Sequence, residues 1–357
     1  MEEIFPIFWP YYAMALVLAM GFGAIAQRSR FCLQGGLRDW RNLGNNRRLM
    51  TYIAAMAFTV LACSVVESLA LTDLSNTKPS YRSSEFAWGR YLAGGFIFGF
   101  GMVLAAGCGF RQLIKSGEGS VKALWLVSIM AIAIYLLTRT TFFGLYVLPI
   151  FQPLSVSLSS QQAIGSLTSA SHAATFRIVL GAIVSAIVAW QLVKQKASIG
   201  TWLTAVTIAI VITLGYLLTG GEYALFLADE ASFMDTPPNG LGSQSFTVSA
   251  PLGDVVYFLD QRAMPQLTFG VLAITGVWIG ALISAISGKK FSFQGFDSWR
   301  DFSISSLGAL LAAFGSVLAM GCSVGHGLTG IATLSIGSIL AITAIVAGGM
   351  SAIKIRA

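Results

Sequence analysis

The chain has 357 residues, 55% of them apolar and only 10% charged, with 22 Lys and Arg against 15 Asp and Glu. A soluble domain carries about 25% charged residues, so a surface that faces water all round is excluded. The net charge of +7 would point to nucleic acid in a soluble protein; here basic anchoring of cytoplasmic loops accounts for it, and no nucleic-acid motif competes.

The apolar residues fall into nine runs: 11–26, 49–71, 87–106, 122–138, 174–193, 199–219, 266–288, 303–321 and 330–353. Each approaches the roughly 20 residues a helix needs to cross hydrocarbon with its backbone polar groups satisfied internally. The runs are continuous rather than alternating, which argues against a β-barrel. The expected fold is an all-α integral membrane protein, with about nine transmembrane helices and short re-entrant or broken helices.

The start, Met1-Glu2-Glu3, lacks a basic n-region, so the first run is read as a retained helix. Basic residues gather at Arg28, Arg30, Arg38, Arg41, Arg47, Arg48, Lys194, Lys196, Lys289, Lys290, Arg300, Lys354 and Arg356. The positive-inside bias then puts the N-terminus outside the membrane and the C-terminus in the cytoplasm. Two long connections, 139–172 and 220–265, fall outside. The first carries a Pro-broken apolar stretch, 142–149, too short to span and read as interfacial or re-entrant; His172 is read as interfacial. The second holds Asp229, Glu230, Asp235, Asp254 and Asp260 and reads as a solvated cap.

An internal repeat organises the chain. Phe100-Gly101-Met102-Val103-Leu104-Ala105-Ala106-Gly107-Cys108 returns as Phe314-Gly315-Ser316-Val317-Leu318-Ala319-Met320-Gly321-Cys322, with seven of nine positions identical. A looser echo pairs Phe31-Cys32-Leu33-Gln34-Gly35 with Phe291-Ser292-Phe293-Gln294-Gly295. Such repeats mark transporters built from two related halves with the site between them. The halves expected here are approximately 1–138 and 174–357. The topology brings the two Gly-Cys motifs to the midplane from opposite faces but leaves both Gln-Gly motifs on the cytoplasmic side.

Glycine beside a polar residue at a helix end permits a tight turn and lets backbone N–H groups point at a guest. Gly107, Cys108 and Gly109, together with Gly321 and Cys322, are therefore candidate site residues; a buried cysteine in a glycine-rich packing seam is the alternative. Cys32 stands beside Gln34, but its repeat partner is Ser292, so structural and functional roles both stay open. Cys63 reads as packing. Glu67, near a helix end, reads as snorkelling to water. His326 follows Cys322 by four residues and would share its face if the helix continued. No metal site is expected, because too few ligands accompany it. Arg90, Arg111, Arg139 and Arg177, near helix ends with few acids, are read as a positive vestibule that concentrates anions. A neck of neutral thiols, each a weak S–H donor, suits a soft sulfur-containing anion.

On these residues the chain resembles the YeeE/YedE family of bacterial inner-membrane proteins. The resemblance rests on Arg30-Phe31-Cys32-Leu33-Gln34-Gly35, on Gly107-Cys108-Gly109, on Gly321-Cys322-Ser323-Val324-Gly325-His326-Gly327 and on the repeat. It implies an hourglass-shaped helical fold with a positive outer concavity, uptake of thiosulfate, and a relay of Cys32, Cys108 and Cys322. It further implies a small cytoplasmic TusA-like sulfurtransferase as partner; some relatives are associated with selenium. The expected function is a permease for thiosulfate or a related sulfur anion, not an enzyme, with no cofactor. The alternatives are a membrane thiol/disulfide redox protein using Cys108 and Cys322, a transporter of a selenium species, and a scaffold for other membrane proteins.

Overall fold

Runs of Ala, Val, Leu, Ile and Gly without carboxylates leave the helix as the way to satisfy backbone groups in hydrocarbon. The computed structural model describes residues 4–167 and 172–356, and helices dominate it. They are α1 (Ile4–Ser29), α2 (Leu33–Leu43), α3 (Arg47–Ser68), α4 (Trp88–Leu104), α5 (Gly109–Gly117), α6 (Val121–Arg139) and α7 (Leu148–Phe151). There follow α8 (Ala173–Lys194), α9 (Ile199–Gly220), α10 (Glu222–Ser232), α11 (Ser249–Gln261), α12 (Phe269–Ser287), α13 (Trp299–Leu318) and α14 (Ile336–Arg356). Two π-helical turns, Phe143–Val147 and Gly325–Gly330, interrupt the order. Among the described residues the strands are Glu85–Phe86 and Val156–Ser157, one antiparallel pair. Nine stretches among the described residues are long and apolar enough to cross a membrane, so the protein is multi-pass. The short apolar helix Phe143–Leu154 is not one of them.

Hydrophobicity cannot drive helix against helix in lipid, so close packing of small residues must. The α4–α13 seam is built this way. Gly94 and Gly101 of α4 abut the backbones of Ala319 and Ala312, while Gly308 and Gly315 of α13 abut Ala105 and Phe98. These pairings make the two helices antiparallel. Gly101 and Gly315 are equivalent positions of the repeat, and each lies against the other's helix. The α1–α12 pair runs in one direction instead, with Gly276 on Ala19, Gly280 on Met20 and Arg28 donating to Ser284.

Four short helices begin inside the bundle rather than at its surface: α2, α5, α11 and the turn after Cys322. The 220–265 connection is therefore only partly a solvated cap. Asp229, Asp235 and Asp260 are exposed, but Phe246, Val248 and Leu252 are buried. The first turn of α11 sinks against α6 and α12, where Gly253 meets Ile134 and Gly270 meets Pro251.

Glu67 does not snorkel. Its carboxylate is 8% exposed and is held by the guanidinium of Arg82, itself 1% exposed, with one arm at 2.9 Å and Arg177 at 3.5 Å. Arg82 also donates from Nε to the Thr333 carbonyl at 2.7 Å. The loop after α3 folds back over the helix end and supplies the partner, so the carboxylate need not seek water. Arg82→Ala leaves the buried carboxylate with Arg177 alone, and the expected loss is about 3 kcal/mol, the low end for breaking a buried pair. Thermal melting of the purified variant checks this; a melting temperature equal to wild type would show the pair to be idle.

Candidate functional site

Three cysteines open three of the short inner helices. Cys32 is the N-cap of α2 and Cys108 that of α5, while Cys322 starts the turn that runs into Gly325–Gly330. Each main chain is set by a residue with positive φ just before it: Arg30 at 53°, Ala106 at 55° and Met320 at 61°. Gly107 adds a φ of 159°, which few residues with a Cβ adopt. Ala106 and Met320 are matching positions of the repeat, so the same break recurs at the same place.

Two of the thiols share one arrangement. Cys32 Sγ accepts from Gly35 N at 3.4 Å and Cys322 Sγ from Gly325 N at 3.4 Å. Cys108, the N-cap residue of α5, makes no such side-chain cap bond. In both capped cases the donor is the third residue on, the usual N-cap geometry. The backbone N–H engages the sulfur as acceptor and leaves the S–H free to donate. Cys32, Cys108 and Ser323 are neighbours at this centre. All three thiols are buried, and all four cysteines of the chain are free thiols. Cys63 lies apart, against Thr213 at 3.5 Å between α3 and α9.

The glycines make room for what holds these turns. Gln112 Nε2 donates to the Ala105 carbonyl, and His326 Nε2 to the Ala319 carbonyl at 2.8 Å. Gln112 stands four residues after Cys108 and His326 four after Cys322, and the carbonyls three before each cysteine. A Cβ on Gly107 would lie 3.1 Å from Gln112 Nε2, and one on Gly321 2.7 Å from His326 Nε2. Gly109 packs beneath Met130, whose Cε would lie 3.2 Å from a built Cβ. The imidazole of His326 is 1% exposed, with Nδ1 placed to accept from Ser338 Oγ at 3.2 Å. It clamps the backbone ahead of Cys322, from a helical segment that runs on after Cys322 as the π-helical turn Gly325–Gly330. His326→Ala leaves the Ala319 carbonyl unpaired and is expected to cost about 1–3 kcal/mol, whereas His326→Gln restores the donor used at position 112. Melting curves of the two variants separate these outcomes; equal loss in both would refute the clamp.

Above the thiols, on the face where α1 and α12 end, lies a pocket of about 600 Å³. It is lined by Arg30, Arg38, Arg48, Arg111, Lys115, Lys289 and Lys290 against one acid, Glu118. Cys32, Gln34 and Gly35 form part of its floor, and Ser292 and Gln294 join them. Both Gln-Gly echoes thus line one pocket on one face. Their conformations differ: 33–43 is helical, whereas 291–295 is an irregular segment tied to Glu118 and Lys122 backbones. Gly35 lies directly against the Arg48 guanidinium.

The expected positive vestibule needs correction. Of Arg90, Arg111, Arg139 and Arg177, only Arg111 lines this pocket. Arg90 donates to the Leu318 carbonyl at 3.2 Å, Arg139 pairs with Asp254 at 2.9 Å, and Arg177 approaches Glu67. Helix-end position brought these four together on paper, but their carboxylates and carbonyls hold them on separate elements. The cationic pocket also sits on the arginine-rich face that charge bias assigns to the cytoplasm, not on the opposite face.

Several neighbours of the thiols carry no motif. Tyr52 of α3 is 2% exposed, donates to the Ser323 carbonyl at 2.6 Å and stacks on Phe31. The Tyr81 hydroxyl is buried and has no partner among the described residues. A Cβ on Gly325 would lie 3.2 Å from that hydroxyl and 3.8 Å from Cys322 Sγ, so both polar groups face one spot. Val248, the N-cap of α11, occupies the fourth equivalent position without a thiol.

A family model described as sulphur transport matches residues 28–351. The thiosulfate transporter TsuA of Escherichia coli K12 is 26% identical over 339 residues, covering 88% of this chain and 85% of that protein. The thiosulfate transporter TsuA of Spirochaeta thermophila is 25% identical over 338 residues, covering 91% and 93%. The probable transporter YedE of Escherichia coli K12 is 26% identical over 117 residues, 33% of this chain and 27% of that protein. With the model spanning nearly the whole helical bundle, thiol centre and cationic pocket included, the chain belongs to the sulphur transport family of membrane proteins, the YeeE/YedE proteins.

Proposed function

We propose that the protein takes up thiosulfate, or a closely related sulfur anion, through the centre lined by Cys32, Cys108 and Cys322. Membership of the sulphur transport family makes it a transporter rather than an enzyme, and the two TsuA relatives support thiosulfate as the substrate class. The observation that carries the reading is that three buried thiols stand at inner helix starts, one of them, Cys32, also lining the cationic pocket. The first-turn N–H groups of α2 and α5 present partial positive charge at the site. Thiols and the Tyr81 hydroxyl add neutral donors that hold an anion weakly enough to release it. Gln34 and Arg111 serve at the pocket floor, and Gly107, Gly109 and Gly321 serve by shaping the turns.

In this reading the N-terminus is outside an inner membrane and the C-terminus in the cytoplasm. Cys32 is then the last thiol before the cytoplasmic pocket. The basic rim of that pocket is where a TusA-like sulfurtransferase would collect the anion. The two Gly-Cys units act as counterparts in the two halves, each presenting its thiol from an opposite direction.

Purified protein in liposomes tests the proposal. Entry of labelled thiosulfate should saturate and be competed by unlabelled thiosulfate but poorly by sulfate, which lacks the terminal sulfur. Uptake no greater than in empty liposomes, or equal competition by both anions, would contradict it.

A further inference from the structure

A second basic cavity, of about 750 Å³, lies outside the thiol pocket where the ends of α1, α3 and α9 meet on the same face. Arg28, Arg30, Arg47 and Arg48 line it, with Thr51 and Leu203, and no carboxylate does. Among the described residues Arg28, Arg30 and Arg47 have no acidic partner; Arg47 donates to Ser198 and Arg28 to Ser284. Arg48 pairs with Asp39 through one arm, yet its buried Nε has no partner. Four cations at three helix ends, three of them without an acidic partner among the described residues, are costly unless an anion joins them.

The surroundings identify the anion's carrier. From the cavity, Leu203, Val206 and Ile210 continue along α9 as a stripe 62%, 42% and 49% exposed. On a membrane-spanning helix such a stripe faces acyl chains. A phosphate at the arginines is thereby placed at headgroup level with its hydrocarbon along α9. We propose that this groove binds the headgroup of an anionic phospholipid. Arg30 and Arg48 line both this groove and the thiol pocket. A bound lipid therefore shares two arginines with the pocket floor and tempers their charge there.

Native mass spectrometry of the full-length protein tests this, with phosphatidylglycerol and phosphatidylcholine offered in equal amounts. Wild type should retain phosphatidylglycerol preferentially. Arg28→Gln and Arg47→Gln, which spare the thiol pocket, should each reduce that preference about fivefold, as one basic side chain near an anionic surface contributes about 1 kcal/mol. The control Arg41→Gln, an exposed arginine outside the groove, should leave it unchanged. Equal retention of both lipids by wild type would overturn the proposal, as would preference surviving in both groove variants. Displacement of the lipid by millimolar inorganic phosphate alone would also overturn it, since the groove would then be a free-anion site.

Discussion

Cys108→Ala is expected to lower thiosulfate uptake into proteoliposomes by about ten- to a hundredfold, the rate equivalent of a lost donor worth roughly 1–3 kcal/mol. Cys108 neighbours Cys32 and Ser323 at the start of α5. Alanine removes the donor to the anion. Serine keeps a hydroxyl donor at that place, so Cys108→Ser should retain part of the uptake. A thiol/disulfide mechanism demands the opposite: serine would be as inactive as alanine. Cys63→Ala gives the control, since Cys63 packs against Thr213 away from the centre, and should transport normally.

Gly101→Leu and Gly315→Leu are expected to prevent recovery of folded protein. Each Cβ would press on backbone of the facing helix, which cannot rotate away as a side chain can. Overpacking of tight cores costs typically 1–3 kcal/mol even where side chains can adjust; a four-carbon addition against backbone exceeds that. Because the two glycines meet the seam from opposite helices, the variants should fail alike. Leu310→Ala on the same helix, with the leucine 47% exposed, should elute as wild type does. Normal elution and melting of either glycine variant would show the seam to be looser than described.

How much of this the sequence disclosed depends on whether the signal was local. Continuous apolar runs locate the spans, because the bilayer imposes length and composition on each segment separately. Cys108 and Cys322 were legible because their Gly-Cys setting occurs twice. Gln112 was within reach of the same comparison, four residues after its cysteine as His326 is after Cys322, but the repeat dissolves at that point and hides the shared role. The buried first turn of α11 was not legible. Val248 stands where the other three segments have cysteine, and the acids around it read as a cap. Arg82 and Tyr52 gave no signal, since their partners, Glu67 and Ser323, are supplied by tertiary packing. The arginine grouping failed for the same reason, in reverse: residues alike in position along helices found different partners in space.

Contact between the anion and the thiols is tested most directly by chemical protection. Alkylation of Cys32 by a small maleimide can be followed peptide by peptide in the purified protein, with thiosulfate or sulfate present. Thiosulfate should slow modification of Cys32 in a saturable manner and leave Cys63 unaffected, while sulfate at equal ionic strength should do neither. Modification of Cys32 at one rate with thiosulfate, sulfate or no added anion would contradict passage through the thiol centre.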